Sequence, residues 1–153
     1  FHRYRLIYIA MSEKIVIYTD RACSGNPGPG GWAWAVDKNV YGSGSENPST
    51  NQRMEVLAAH MAVREFADAT DHIEIVSDST YVVKCFTDSW HVGWIKRNWK
   101  NSAGKPVANQ DLWKPFIEDV LSHGNVQFTW VKGHSGHSMN DFVDMLAVQA
   151  WHQ

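Results

Sequence analysis

Two runs of apolar and β-branched residues, each followed by an aspartate, place the strongest constraint on the fold of this chain. Residues 15–19 (IVIYT) precede Asp20, and residues 73–77 (IEIVS) precede Asp78. Short runs of this composition are typical of strands. We therefore expect two strands, each of which delivers a carboxylate at its end.

Two further acids lie in segments with helical spacing. Glu55 lies in TNQRMEVLAAHMA, and Asp144 follows a loop of glycine and histidine in WVKGHSGHSMNDFVDMLA. Two strand ends and two helices can bring four carboxylates to one point, where their mutual repulsion would need cations. Because Mg²⁺ prefers oxygen ligands, a metal-dependent phosphoryl-transfer site is the leading hypothesis.

The first half of the chain predicts an antiparallel meander that leads into a helix. The expected strands are residues 14–20, 32–36 and 40–45. Glycine and proline predict a turn over residues 23–31 and a chain break over residues 47–50. The helix is expected to have Thr50 or Ser49 as N-cap, Ser49 and Gln52 as a capping box, and Met54, Leu57, Ala58 and Met61 as its apolar stripe.

The second half alternates helices and strands. The expected elements are a strand at 72–77, a helix at 79–87, an irregular or helical segment at 90–105, a helix at 111–124 that Gly124 ends, a strand at 126–132 and a helix at 140–151. Three antiparallel strands followed by this alternation predict an α/β fold with a mixed sheet.

Length and composition indicate one soluble domain. The chain has 153 residues, of which 44% are hydrophobic, and a formal charge of −2. Two cysteines are too few for a disulfide framework, which favours a reducing, cytoplasmic setting. No apolar stretch approaches the roughly 18 residues of a membrane span, so no membrane partner is expected. Residues 11–153 are assigned to the domain, and residues 1–10 to an N-terminal extension. That extension could be an added leader, upstream sequence or a native extra strand.

Five motifs together resemble ribonuclease H, type 1, of the bacterial kind with a basic handle. They are TDRACSGNPGPGGWA, TNQRMEVLAA, SDSTYVVK, NQDLW and WVKGHSGH…DFVDMLA, in the family's order and spacing. The resemblance runs from Ile15 to Trp151. It implies a ribonuclease H-like fold, a five-stranded mixed sheet flanked by helices, and cleavage of the RNA strand of an RNA–DNA hybrid.

The resemblance also implies a role for each of the four acids. Asp20, Glu55, Asp78 and Asp144 match the family's ligands for two Mg²⁺ ions, for which Mn²⁺ is a possible substitute, and the implied products carry 5′-phosphate and 3′-hydroxyl ends. Taken singly, the aspartates have ordinary explanations as turn, cap or helix-start residues, and Glu55 as a solvated helix residue.

A histidine in the loop before Asp144 matches another family position. His134 corresponds to the mobile-loop histidine that the family uses in proton transfer or product release, and a histidine titrates in the range such a role needs. The alternative is an exposed loop histidine. His137 is interpreted as a structural residue of the loop.

Substrate contacts are expected from two segments. Asn26, Asn51 and Gln52 match family positions near the RNA strand, where their amides suit a 2′-hydroxyl, and Thr50 with the helix N-terminus suits a DNA phosphate. Turn and cap roles are the alternative for these residues.

The second segment, residues 89–110, carries four basic residues and no acid. We call it the basic segment. Its expected contacts with the hybrid are Lys96, Arg97, Lys100, Trp90 and Trp94, with Trp90 facing the DNA strand. A purely core role is the alternative for Trp94 and Trp99.

Arg21 is the clearest departure from the family, which usually has glycine after the first aspartate. An arginine here could pair with Asp20, contact the hybrid backbone or point away. Because neighbouring side chains on a strand point to opposite faces, we expect Arg21 to diverge from Asp20 and to contact phosphate.

Two rival functions use the same fold. A nuclease-dead binding module would be expected to lack one of the four acids, and integrase-like or reverse-transcriptase-derived domains lack this combination of motifs. The four acids and the combination of motifs therefore favour the nuclease, whose expected partner is the RNA–DNA hybrid. We also expect a monomer with no obligate protein partner.

Overall fold

The computed structural model describes residues 14–133 and 137–152. Residues 1–10, predicted to be a separate extension, and His134 lie outside the described residues. The elements are β1 (Lys14–Cys23), β2 (Gly28–Asp37), β3 (Val40–Ser49), α1 (Asn51–Glu65), β4 (His72–Ser77), α2 (Thr80–Thr87), α3 (Trp90–Lys96), α4 (Gln110–His123), β5 (Val126–Trp130) and α5 (Ser138–His152). No helix among these elements is long and apolar enough to cross a membrane.

The strands form one mixed sheet in the order β3-β2-β1-β4-β5, which confirms the predicted fold class. The β1–β2 and β2–β3 pairs are antiparallel, whereas β1–β4 and β4–β5 are parallel. The parallel register pairs Tyr18 with Val76. Asp20 and Asp78 each lie two residues further along, so they meet at the same edge of the sheet.

Helices cover both faces of the sheet, as alternation along the strands requires. Ile17 and Trp34 belong to the larger core with α1, α2 and α4. Ala33 and Ala35 pack with Val143 and Ala147 of α5 on the other face. The small residues of β2 let α5 approach closely, since a Cβ at Gly31 would collide with the carbonyl oxygen of Ala147.

The predicted turn over residues 23–31 was wrong in its second half, because β2 already begins at Gly28. Glycine is needed there for space, since a Cβ at Gly30 would lie 2.7 Å from Cγ of Met54. The predicted break at residues 47–50 was also misplaced, because β3 continues to Ser49. β3 is an edge strand, and an edge strand tolerates Pro48.

The start of α1 differs from the predicted capping box. Thr50 is the N-cap, and its hydroxyl accepts a hydrogen bond from the Arg53 N–H at 3.2 Å. Ser49 is buried at the end of β3 instead, so it does not form a box with Gln52.

The predicted apolar stripe of α1 holds only in part. Met54 and Ala58 are buried, whereas Leu57 and Met61 are half-buried. The buried surface is wider than the stripe, because α1 contacts both the sheet and α4.

The elements from β4 onward match those predicted from the sequence, with small shifts at their ends. Gly124 ends α4 with a φ of +77°, as predicted. β5 stops at Trp130 and α5 begins at Ser138. In the basic segment, α3 is followed by an irregular stretch with one bridge between Lys100 and Pro106.

Candidate active site

Asp20 and Asp78 meet at the edge of the sheet and share one cation from the chain itself. Nη1 of Arg21 lies 2.9 Å and 3.0 Å from the two carboxylate oxygens of Asp78. The same atom lies 3.2 Å from Oδ1 of Asp20, which also accepts the backbone N–H of Arg21 at 2.8 Å. The guanidinium therefore bridges two of the four predicted acids.

The expectation that Arg21 diverges from Asp20 was wrong. Alternation along a strand fixes the direction of the Cβ atoms only. The arginine stem is long enough to return to the end of the strand, where the carboxylates of Asp78 and Asp20 attract the guanidinium. Of the three possibilities left open by the sequence, ion pairing is the one observed.

Asp144 reaches the same place from α5. A cleft at the sheet edge is lined by Thr19, Asp20, Asp78, Val131, Gly133, Asn140, Asp141 and Asp144. A Cβ at Gly133 would lie 2.6 Å from Oδ2 of Asp78, so only glycine lets the loop after β5 approach this carboxylate. Three of the four predicted acids thus share one cleft.

Glu55 lies on the α1 side of this group and is not among the residues that line the cleft. Burial raises the pKa of Glu55, an effect that the Ser79 hydroxyl and the charge of Arg21 partly offset. Its electrostatic neighbours also include Asp78. The fourth acid therefore lies close enough to Arg21 and Asp78 to feel their charges.

Crowding changes the acidity of Asp20. Burial of the carboxyl, together with the neighbouring charge of Asp78, raises the pKa of Asp20 to about 6. Burial alone would lower the pKa of Arg21, but the charges of Asp78, Glu55 and Asp20 outweigh it, so the pKa is raised. A group of carboxylates in which two members, Asp20 and Glu55, have raised pKa values is typical of a site that takes up cations.

The donor atoms suit Mg²⁺ or Mn²⁺, because all four predicted ligands offer carboxylate oxygens. Within residues 14–133 and 137–152, however, no three His, Cys, Asp or Glu side chains are grouped as a ready set of metal ligands. Asp20 and Asp78 hold Arg21 instead. The residues fit a hard divalent cation by chemistry, and the guanidinium occupies the space between two of them.

The residues predicted to contact RNA come together at the start of α1. Oδ1 of Asn26 accepts the backbone N–H of Asn51 at 3.1 Å, which ties the glycine–proline loop to the helix. The Thr50 side chain is engaged in its cap. Gln52 is exposed and lies one turn before Glu55.

The tryptophans of the basic segment pack against the core. Trp90, Trp94 and Trp99 form a chain of neighbouring rings, with centroids 6.3 Å and 6.1 Å apart, and Trp94 meets Trp113 edge-on at 5.3 Å. All three remain half-buried. The rings therefore anchor the segment, and the remaining surface of Trp90 and Trp94 lines an adjoining cleft with Arg97.

The cations of the segment face solvent. Lys96, Arg97 and Lys100 are exposed, and Nε of Arg97 donates to the carbonyl oxygen of Lys100 at 3.1 Å. This leaves the predicted phosphate-binding charges accessible.

His137 has the structural role expected of it. Its ring stacks on Tyr18 at 5.3 Å, and Nδ1 accepts the backbone N–H of Met139 at 3.3 Å. These contacts fix the start of α5, and so the position of Asp144.

Sequence analysis missed several residues of the site. Asn140 and Asp141 lie one helical turn before Asp144, and that spacing alone would have placed them on the cleft. Ser79 caps α2 through a 3.1 Å hydrogen bond from the Val82 N–H, directly after Asp78. Arg53 holds the start of α1 by donating to Glu46 at 2.8 Å, a contact between distant segments that no local pattern signals.

Comparison with known proteins agrees with this architecture. The family model of RNase H matches residues 12–152. The chain is 46% identical over 140 residues to the ribonuclease H of Marinobacter nauticus, covering 90% of this chain and 93% of that protein. It is 42% identical over 135 residues to a ribonuclease H of Thermus thermophilus, covering 86% of this chain and 80% of that protein.

Solved structures give the same result. The crystal structure of LC9-RNase H1, described as a type 1 RNase H with the type 2 active-site motif, matches with a TM-score of 0.76 and 28% identity, covering 92% of this chain and 73% of that one. A foamy viral protease-reverse transcriptase in complex with RNA/DNA hybrid matches with a TM-score of 0.76 and 20% identity, covering 90% and 20%, which shows the fold alone. By the length of the family match and the identity to its members, the chain belongs to the ribonuclease H family.

Proposed function

We propose that this protein is an endoribonuclease that hydrolyses the RNA strand of RNA–DNA hybrids and leaves 5′-phosphate and 3′-hydroxyl ends. Family membership supports the substrate and the reaction class. The observation that carries the proposal is the meeting of Asp20, Asp78 and Asp144 at one cleft. Carboxylates from three separate elements are costly to bring together, so their convergence favours a cation-dependent active site.

Asp20, Glu55, Asp78 and Asp144 are the residues that would hold two Mg²⁺ ions, or Mn²⁺ in their place. When bound, such ions activate a water for attack on phosphorus and stabilise the leaving oxygen. The secondary structure of the chain positions these carboxylates. The parallel pair β1–β4 fixes Asp20 and Asp78 against each other, and α5 presents Asp144 to the same cleft.

Selection of RNA is assigned to the joined segments around Asn26 and Asn51. Their link places amide groups that donate and accept beside the start of α1, and a 2′-hydroxyl needs partners of this kind. Gln52 belongs to the same group, and Thr50 with the N-terminus of α1 is assigned to the DNA phosphate.

The basic segment is assigned to the DNA strand. Lys96, Arg97 and Lys100 would bind phosphates, while the half-buried rings of Trp90 and Trp94 offer surface for sugars. His134, which follows Gly133 in the sequence, is assigned to proton transfer or product release. Trp94 packs on Trp113, and Trp90 and Trp99 pack on Trp94, which supports a segment that holds its shape when it meets a hybrid.

We also propose that the protein works as a cytoplasmic monomer. Cys85 is buried and Cys23 half-buried, both as free thiols, which suits a reducing compartment. Light scattering coupled to size-exclusion chromatography would test the monomer, and a mass twice that of the chain would contradict it.

The decisive experiment uses one labelled RNA–DNA hybrid beside single-stranded RNA, duplex RNA and duplex DNA, each with Mg²⁺ and with excess chelator. Cleavage of the RNA in the hybrid alone, and only with the cation, is the expected result. End-labelling of the products then identifies the phosphate and hydroxyl ends. Activity that persists in chelator would refute a metal-dependent site.

Asp78→Asn should abolish cleavage while the hybrid still binds, because the change removes a ligand charge and keeps the size. Asp68→Asn is the matched control, since Asp68 is exposed and outside the cleft. A near-normal rate for Asp78→Asn would show that Asp78 is not a ligand. Loss of activity in both variants would point to a general effect of the substitution.

A further inference from the structure

The guanidinium of Arg21 lies between Asp20 and Asp78, the two acids at the strand ends. Its Nη1 lies within 3.2 Å of oxygens from both Asp20 and Asp78. The Asp20 and Asp78 side chains are 12% and 19% exposed, and that of Arg21 is 29% exposed. The ion pairs are thus partly shielded from water and stronger than surface pairs.

The charge balance of the site explains why the pairing forms. Asp20, Glu55, Asp78 and Asp144 would carry four negative charges when ionised, and Arg21 reduces this to three. Within the described residues, the positive charge that pairs with both acids at the strand ends is the guanidinium of Arg21. If Asp20 and Asp78 held a divalent cation, the guanidinium beside them would face a like charge at close range.

We propose that Arg21 is a resident counter-ion of this site, and that a divalent cation must displace its guanidinium from Asp20 and Asp78. The inference rests on the proposed function, since it concerns the same carboxylates. Displacement is feasible because the arginine stem is long and its head is partly exposed. One consequence is a weaker apparent affinity for the metal than the four acids alone would provide. The other is that the ion pairs of Arg21 with Asp20 and Asp78 stabilise the metal-free protein.

Metal affinity is the direct test, measured without substrate by calorimetric titration of the intact protein with Mn²⁺. Arg21→Gln removes the charge, and we expect it to lower the dissociation constant by about tenfold, the scale of one unit charge a few ångströms away. Arg21→Lys keeps the charge and should stay close to the wild type. Equal affinity in wild type and Arg21→Gln would overturn the proposal, as would an Arg21→Lys protein that binds as tightly as Arg21→Gln.

Thermal unfolding gives a second measurement that does not depend on activity. In chelator, Arg21→Gln should melt below the wild type, because Asp20 and Asp78 lose their counter-ion. In saturating Mg²⁺ that difference should shrink or reverse. A difference that is the same with and without Mg²⁺ would mean a purely structural role and would overturn the proposal.

Lys14→Gln is the matched control. Lys14 also lies on β1 and pairs with Glu74 at 3.3 Å, away from the cleft. The substitution removes one positive charge from the same strand, and the metal affinity of this variant should equal that of the wild type. A similar gain in Lys14→Gln would show a general charge effect and refute the displacement.

The hybrid cleavage assay separates this inference from the proposed function. A wild-type protein that neither binds Mn²⁺ nor cleaves hybrid would refute both. A wild-type protein that binds Mn²⁺ and cleaves hybrid, with unchanged affinity in Arg21→Gln, would refute the role of Arg21 alone.

Discussion

Asp20→Asn is expected to stabilise the protein when no divalent cation is present, although it removes a proposed ligand. Burial and the charge of Asp78 raise the pKa of Asp20 from 3.8 to about 6. The ionised carboxylate is therefore less favourable in the folded protein than in the unfolded chain. A neutral amide of the same size avoids this cost.

The magnitude follows from the size of that change. A rise of roughly two pKa units corresponds to about 3 kcal/mol at 1.36 kcal/mol per unit. The pKa of about 6 already includes the opposing effect of Arg21, so nothing further is subtracted for loss of that ion pair. The expected gain is about 3 kcal/mol, or roughly 6–12 °C in melting temperature for a chain of this size.

The contribution of Asp20 to the free energy of unfolding decreases as the pH rises. Since the folded-state pKa of Asp20 is raised, the folded protein keeps a proton that the unfolded chain has lost between pH 3.8 and about 6. The free energy of unfolding of the wild type therefore falls as the pH rises through this window. The difference between Asp20→Asn and wild type should vanish near pH 4 and reach its full value above pH 6.

Urea unfolding in chelator at a series of pH values measures this difference. Asp68→Asn serves as the control, because Asp68 is exposed and its substitution should leave the stability unchanged. If Asp20→Asn is no more stable than wild type at pH 8, or if the difference does not change between pH 4 and pH 6, the unfavourable burial of the Asp20 carboxylate and its repulsion by Asp78 are refuted.

Three further predictions concern other parts of the molecule. Replacing Lys96, Arg97 and Lys100 with alanine should weaken hybrid binding and reduce its log–log salt slope by about three units; an anisotropy titration with an unchanged slope would show that these residues do not bind phosphate. His134→Ala should slow turnover by about 10²-fold or less, measured at steady state, and complete loss would instead make it indispensable for placement of metal or substrate. Burial lowers the pKa of His60, so the free energy of unfolding should fall as the pH drops below about 6.5. His60→Gln should reduce this loss of stability at low pH, and a pH profile equal to that of the wild type would contradict the prediction.

Sequence determined the fold class and singled out the four acids proposed for the site, because those signals are local. Runs such as residues 73–77 specify a strand through their β-branched residues, and the observed β4 has almost the same bounds. The spacing of the motifs was sufficient to identify the family, which the comparisons confirm. The glycines within residues 28–31 were misinterpreted as part of a turn, because the need for space there depends on Met54 and α5, which are distant in sequence.

Only the tertiary structure decided how the acids are neutralised. Alternation along β1 predicted that Arg21 would leave Asp20, and it said nothing of Asp78, which reaches the same edge through the parallel pairing of β1 with β4. The same limit hid the link between Asn26 and Asn51 and the anchoring of Trp94 on Trp113. A sequence pattern fixes which groups a strand or helix presents, whereas the electrostatic partner of a long side chain is decided by charges that the fold brings within a few ångströms.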